Sequence, residues 1–111
     1  MTRSVIVLAA AGTLIAGGCG SSSTATGRSG RVLTPSEARG KTLFRADCAS
    51  CHTLADAGAK GIVGKNLDTT QPSAAVVLRT LAAPPKNMPA GLLSGADARA
   101  VAAYVAAVAG R

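Results

Sequence analysis

Beyond Leu33 the apolar positions gather into three stretches that read as helices, separated by stretches where no period holds. Thr34-Pro35-Ser36-Glu37 opens the first. A threonine oxygen can take an unpaired N–H of a first turn, proline suits that turn, and glutamate three residues on completes a capping box. A helix over about 35–47 is predicted, with Ala38, Thr42 and Ala46 on one side and Gly40, Leu43, Phe44 and Asp47 on another. Gln71-Pro72 opens a second helix through about Leu81, with Val76, Val77 and Leu81 apolar. Ser94-Gly95-Ala96-Asp97 reads as another capping box, heading a helix to about Ala109. There Val101, Tyr104, Val105 and Val108 recur at i, i+3, i+4 and i+7, which is one helical face. Residues 56–70 are rich in glycine and aspartate and read as loop. Ala82–Pro89 carries three prolines in eight residues and cannot be helical throughout. No stretch alternates at period two and nothing repeats. The pattern is that of an all-α domain of three to four short helices.

The N-terminal stretch is patterned differently. One arginine, Arg3, precedes an almost wholly apolar run from Val5 to Ala16. That run is shorter than the ~20 residues a membrane-spanning helix needs. With Gly17 and Gly18 behind it, it reads as a secretory signal over residues 1–18, the alternative being a buried N-terminal helix. The stretch Leu14-Ile15-Ala16-Gly17-Gly18-Cys19 resembles a bacterial lipoprotein processing site, although alanine stands at position 16, where that family prefers leucine. The resemblance makes Cys19 the candidate lipidation residue, with ordinary cleavage nearby as the alternative. Residues 19–33 then form a lipidated flexible tether: from Gly20 to Val32 the chain is mostly Ser, Thr and Gly, with Arg28 and Arg31, and cannot bury a core. Such a tether spans roughly 20 Å, at ~5–6 Å × √n. The expected location is the outer face of the cytoplasmic membrane, on the periplasmic or extracytoplasmic side.

Residues 34–111 remain for the folded domain, which is small enough that a core without a staple is marginal. Phe44 and Tyr104 are its only aromatic residues, so something outside the polypeptide is expected to fill the interior. The chain's formal net charge is +7. Loss of Arg3 with the signal leaves 11 basic against 5 acidic side chains, or +6. Export and the lack of a basic run with interleaved aromatics speak against nucleic acid. The charge favours an acidic partner or an anionic membrane surface.

The chemistry-bearing residues are concentrated in Cys48-Ala49-Ser50-Cys51-His52, which holds the only histidine. A dithiol redox motif calls for a thioredoxin-like βαβ setting, and no strands are predicted. Structural zinc needs four tetrahedral donors, and Cys48, Cys51 and His52 supply three crowded ones. Covalent c-type haem attachment fits best: two thiols two residues apart add to neighbouring vinyl groups, and the next residue's imidazole reaches the iron. Zinc stays as the remnant alternative. One haem c per chain would also supply the missing interior bulk. A second axial ligand follows by elimination. Met88 is the only thioether outside the signal and sits among prolines that stiffen its loop. An isolated methionine filling a core gap is the competing reading. No nucleophile, base or oxyanion arrangement stands out. Asp47, Asp56, Asp68 and Asp97 are scattered or helix-associated.

The run Gly40-Lys41-Thr42-Leu43-Phe44-Arg45-Ala46-Asp47-Cys48-Ala49-Ser50-Cys51-His52-Thr53, with Asn87-Met88-Pro89 and a last helix carrying Tyr104, resembles class I cytochrome c over about residues 34–111. The resemblance implies a small cytochrome c-like bundle around a covalently bound haem, with Gly40 and Phe44 of the first helix crossing Val101 and Tyr104 of the last. It also implies a Gly-Pro-x-Leu loop whose proline carbonyl accepts the axial histidine's N–H. Here Gly64-Lys65-Asn66-Leu67 has lysine at the proline position, so the loop is expected to be less rigid. The functional expectation is a monomeric one-electron carrier, not an enzyme. Its partners would be membrane redox complexes or other electron-transfer proteins with acidic docking surfaces, met by some of Lys41, Lys60, Lys65 and Lys86. The alternatives are a haem-based sensor of diatomic gases and a dedicated electron-donor subunit of a larger oxidoreductase.

Overall fold

The computed structural model describes residues 24–111; the expected signal sequence over 1–18 and the candidate lipidation residue Cys19 lie outside the described residues. Four helices follow in order: α1 (Pro35–Asp47), α2 (Leu67–Thr70), α3 (Ala74–Ala82) and α4 (Gly95–Val108). The expected capping box at the start of α1 is formed: Glu37 N–H donates to Thr34 Oγ1 at 3.2 Å, and Thr34 N–H donates to Glu37 Oε2 at 2.9 Å. The second expected box is not. Ser94 precedes α4 without a side-chain cap, and the reciprocal half of the box is unmade as well, the Asp97 carboxylate being turned to Arg39 of α1, whose Nη2 and Nε lie 2.6 and 3.0 Å from it. The α3 helix begins two residues later than Gln71-Pro72 suggests, because the Ser73 hydroxyl accepts Val76 N–H and sets the start there.

The α1 and α4 helices cross at Gly40. A Cβ at that position would lie 2.7 Å from Tyr104 Cβ and would collide with the Ala100 carbonyl. Only a glycine lets the two backbones come so close. One turn on, Phe44 and Tyr104 meet edge to face, ring centroids 6.1 Å apart and planes at 63°. Val101, Val105 and Val108 extend this face of α4 into a core completed by Leu33, Leu54 and Cys48.

The segment expected to be loop has more order than its composition suggests. Thr53–Leu54 (β1) and Ala59–Lys60 (β2) pair antiparallel around a 3₁₀ turn over Ala55–Ala57. Two residues are too few for alternation to show, so the pair is invisible to periodicity. The short α2 is capped by Asn66, whose side-chain oxygen accepts the N–H groups of Asp68 and Thr69. Asp68 in turn accepts Ala55 N–H and Gly110 N–H, each at 2.8 Å, and so joins this region to the C-terminus.

The proposed tether also departs from expectation. Residues 24–33 fold back as a small hairpin: Thr26 bridges Val32, Gly27 N–H donates to Arg31 carbonyl, and Leu33 is buried in the core. At its tip Arg28 N–H donates to Asp56 Oδ1. The folded unit therefore takes in the ten described residues before Thr34.

Candidate functional site: a cleft lined by the thiols, the imidazole and the thioether

Four sequence-predicted residues come together in one cleft of about 1210 Å³. Cys48, Cys51 and His52 line it from the segment after α1, Met88 from the proline-rich loop, and Val101 and Val105 from α4. That volume exceeds the ~300–1,000 Å³ of an ordinary small-molecule pocket. A second depression, about 540 Å³ beside Arg28 and Arg111, contains none of these donor residues.

The end of α1 brings the thiols into place. The Cys48 and Ala49 N–H groups both donate to the Phe44 carbonyl, and those of Cys51 and His52 both donate to the Cys48 carbonyl, so the motif winds on as tight turns. Cys48 is buried and Cys51 half-buried, and neither is in a disulfide. Burial, with Asp47 and Cys51 nearby, pushes the Cys48 thiol up to about 11, so it is held as a thiol at neutral pH.

The imidazole is fixed by the loop behind it. His52 Nδ1–H donates to the Lys65 carbonyl at 2.9 Å. A carbonyl can only accept, so the proton belongs on Nδ1 and Nε2 keeps its lone pair for a metal. Lysine at the proline position thus preserves the bond, because the acceptor is main chain. Its loop is tied down by other means: Gly64 N–H donates to Cys51 carbonyl at 2.6 Å, Gly61 N–H to His52 carbonyl at 3.2 Å, and Thr53 Oγ1–H to Gly61 carbonyl at 2.8 Å. Gly64 packs flat on the imidazole. A Cβ there would lie 2.5–2.9 Å from three ring atoms.

On the other side Met88 is half-buried, its N–H donating to Pro85 carbonyl at 2.9 Å in a turn. Val76, Val77, Thr80 and Leu81 of α3 form the wall between. Among the described residues no group of three or more His, Cys, Asp or Glu side chains is placed to hold a metal ion, so the zinc alternative lacks its donor set. The arrangement suits a large apolar disc held by two thiols on one rim, with nitrogen and sulfur donors lining the same space.

A family profile described as "Cytochrome C oxidase, cbb3-type, subunit III" matches residues 35–105. The chain belongs to this family of c-type cytochromes. Among solved structures, the c-type cytochrome SorU from Sinorhizobium meliloti is 42% identical, with a TM-score of 0.64 over 68% of this chain and 93% of that one. No curated protein matches it. The cytochrome is accordingly an electron-transfer haem protein with covalently bound haem c, and its fold is the expected helical bundle with a small added sheet.

Two groups behave otherwise than the sequence suggests. Asp56, read as scattered, is only 6% exposed and acts as a hub. It accepts the Tyr104 hydroxyl at 2.6 Å and Arg28 N–H, and Lys41 Nζ lies 3.3 Å away. Burial works to raise its pKa, but the bonds from Tyr104, Arg28 and Lys41 outweigh it and hold the carboxyl below its usual range. Tyr104 is pushed far up, by burial first and by the Asp56 carboxylate second. Lys41, a candidate for the docking surface, is used here instead: its side chain is 16% exposed and ion-paired. Lys65 and Lys86 line the cleft, while Lys60 is exposed on β2. Nothing near Asp56 in sequence signals this role, since Arg28 and Tyr104 are 28 and 48 residues away.

Proposed function

We propose that this cytochrome is a one-electron carrier between membrane-associated redox proteins on the outer side of the cytoplasmic membrane, anchored by a lipid on Cys19. The observation that carries the reading is the single cleft shared by Cys48, Cys51, His52 and Met88. Cys48 and Cys51 would hold haem c as thioethers, and His52 and Met88 would supply the two axial donors. Haem c in such a site supplies a reversible one-electron couple, and a thioether opposite imidazole raises its reduction potential relative to two imidazoles.

The chain's own residues do the rest. The Lys65 carbonyl holds the proton on His52 Nδ1 and orients the ring, and Gly64 sets its plane. Val76, Val77, Val101 and Val105 give the cleft a dry wall, which limits how much water must reorganise on electron transfer. With His52 and Met88 both bound to it, the haem would keep no donor site free for a substrate, which supports a carrier over an enzyme. The high formal charge, +7, and Lys65 and Lys86 at the cleft favour a partner with acidic contacts, met weakly and left quickly.

A second reading, a dedicated electron-donor subunit of a larger oxidoreductase, is favoured by the matching family's description as an oxidase subunit. A carrier held by steering washes off its partner at high salt, whereas a subunit co-purifies.

Replacing Met88 by alanine tests the ligand set. The expected result is a large fall in reduction potential and rapid carbon monoxide binding by the reduced protein, with haem still covalently attached. An unchanged potential sinks the assignment. Replacing Cys19 by serine should release the protein from membranes, and continued retention rejects the lipid anchor.

A further inference from the structure

The loop from Gly61 to Gly64 presents two branched aliphatic side chains outward, Ile62 at 90% and Val63 at 71% exposure. They are the two most exposed large apolar residues described. Val63 lines the cleft, whereas Ile62 does not, so no group held in the cleft covers Ile62. Single exposed aliphatics are common, and exposure alone says little. This one differs in being held rigidly. The loop's two ends are tied by Gly61 N–H to the His52 carbonyl and by Gly64 N–H to the Cys51 carbonyl, and Thr53 Oγ1–H donates to the Gly61 carbonyl. An aliphatic on a pinned loop loses little further freedom on contact, which is the property of a binding anchor.

Charge flanks it on both sides. Lys60 precedes the loop and Lys65 follows it; both are exposed and neither has an ion-pair partner among the described residues. By contrast three of the five acidic residues, Glu37, Asp56 and Asp97, are spent on internal ion pairs. Lys65, next after the loop, carries the carbonyl that accepts His52 Nδ1–H, so a body resting on Ile62 lies beside the histidine side of the cleft.

We propose that Ile62, flanked by Lys60 and Lys65, is the apolar anchor of a docking surface for an electron-transfer protein whose contact patch is apolar at its centre and acidic at its rim. The assignment rests on the carrier reading and adds where the partner lands. Weak transient contacts of this kind combine a small desolvated centre with steering charges around it.

The test compares the reduced, haem-loaded full-length protein with its Ile62→Asp, Ile62→Val and Lys60→Glu variants. Two oxidants serve as probes: washed membranes of the native host, and ferricyanide, which needs no protein docking surface. For Ile62→Asp, half-saturation with membranes should rise about tenfold or more, the size of effect expected when an anchor is lost. Ile62→Val should stay near wild type, and Lys60→Glu should weaken the contact and flatten its salt dependence. Reduction potential should be unchanged throughout, and so should the ferricyanide rate at high salt, where the charge of this anionic oxidant is screened. Equal half-saturation for wild type and Ile62→Asp overturns the docking assignment while leaving the carrier reading intact. Failure of membranes to oxidise the wild type overturns both. A wild-type dimer that Ile62→Asp dissociates, or loss of binding to phosphatidylglycerol vesicles in that variant at unchanged half-saturation, assigns the anchor to a second copy or to lipid and likewise overturns the proposal.

Discussion

Replacing Gly40 by alanine probes the close crossing of α1 and α4. The added methyl would sit 2.7 Å from Tyr104 Cβ and nearer still to the Ala100 carbonyl. Neither neighbour can rotate away: one is main chain and the other is the first atom of a side chain locked in the core. The helices must therefore part, and the edge-to-face contact of Phe44 and Tyr104 loosens with them. Overpacking of this kind costs about 1–3 kcal/mol, and part of the ~0.5–1.5 kcal/mol of an aromatic pair is lost as well. Alanine's better helix propensity returns about 1 kcal/mol. The net loss is about 0.5–3 kcal/mol, which in a domain of this size lowers the melting temperature by roughly 2–20 °C. Thermal unfolding of the oxidised, haem-loaded protein followed by far-UV circular dichroism reads it directly. Ala46→Gly, on the exposed side of α1, serves as the control and should cost only about 1 kcal/mol, from propensity. A Gly40→Ala protein as stable as wild type, or more so, would mean that propensity wins and the helices do not meet there.

Two further outcomes follow from the same geometry. Asp56→Asn removes the charge that Lys41 and Arg28 N–H share, and should cost about 2–3 kcal/mol at neutral pH. Because the folded-state pKa of Asp56 lies below its ordinary value of 3.8, its contribution is fully present above that value and lost as pH falls through the folded one. The gap between wild type and Asp56→Asn in acid-unfolding curves should therefore narrow below about pH 4, and a gap constant to low pH contradicts the hub. Gly64→Ala drives a methyl into the His52 ring and should disturb the iron ligation proposed for it, seen as a shifted reduction potential and altered ligand bands in the spectrum, while overall helicity is retained. An unperturbed spectrum would show that the loop does not press on the imidazole.

The features legible in the chain are those written in neighbouring residues. Thr34 and Glu37 announce α1 because both partners of the capping box lie within one turn, and the valine-tyrosine face of α4 repeats at a fixed spacing. The cleft is legible for a different reason: Cys48, Cys51 and His52 are contiguous, and Met88 is singled out by scarcity. What escapes is built from long-range pairs. Asp56 looks like a loop aspartate until Tyr104 and Arg28 arrive from distant parts of the chain. Lys41 resembles any surface lysine of a helix, and its capture by Asp56 depends on where the 3₁₀ turn lands. The Ser94 box fails although its residue types are right, since Arg39 competes for Asp97 across the helix crossing. The hairpin at 24–33 is written in Ser, Thr and Gly, which favour turns and linkers equally, and only Leu33 and Asp56 decide between them.

For a cytochrome anchored at Cys19, as proposed above, that hairpin sets how far it could travel. With its tip latched at Asp56, only four residues separate Cys19 from Thr24. A fully stretched leash of that length reaches less than about 20 Å, and a relaxed one roughly half of that. Held by the anchor proposed at Cys19, a protein tied so short would graze the bilayer and would not swing outward to bridge distant complexes. Encounters would then come from sideways drift within the plane of the lipid, and the height at which a partner exposes its own redox centre would become a selection rule.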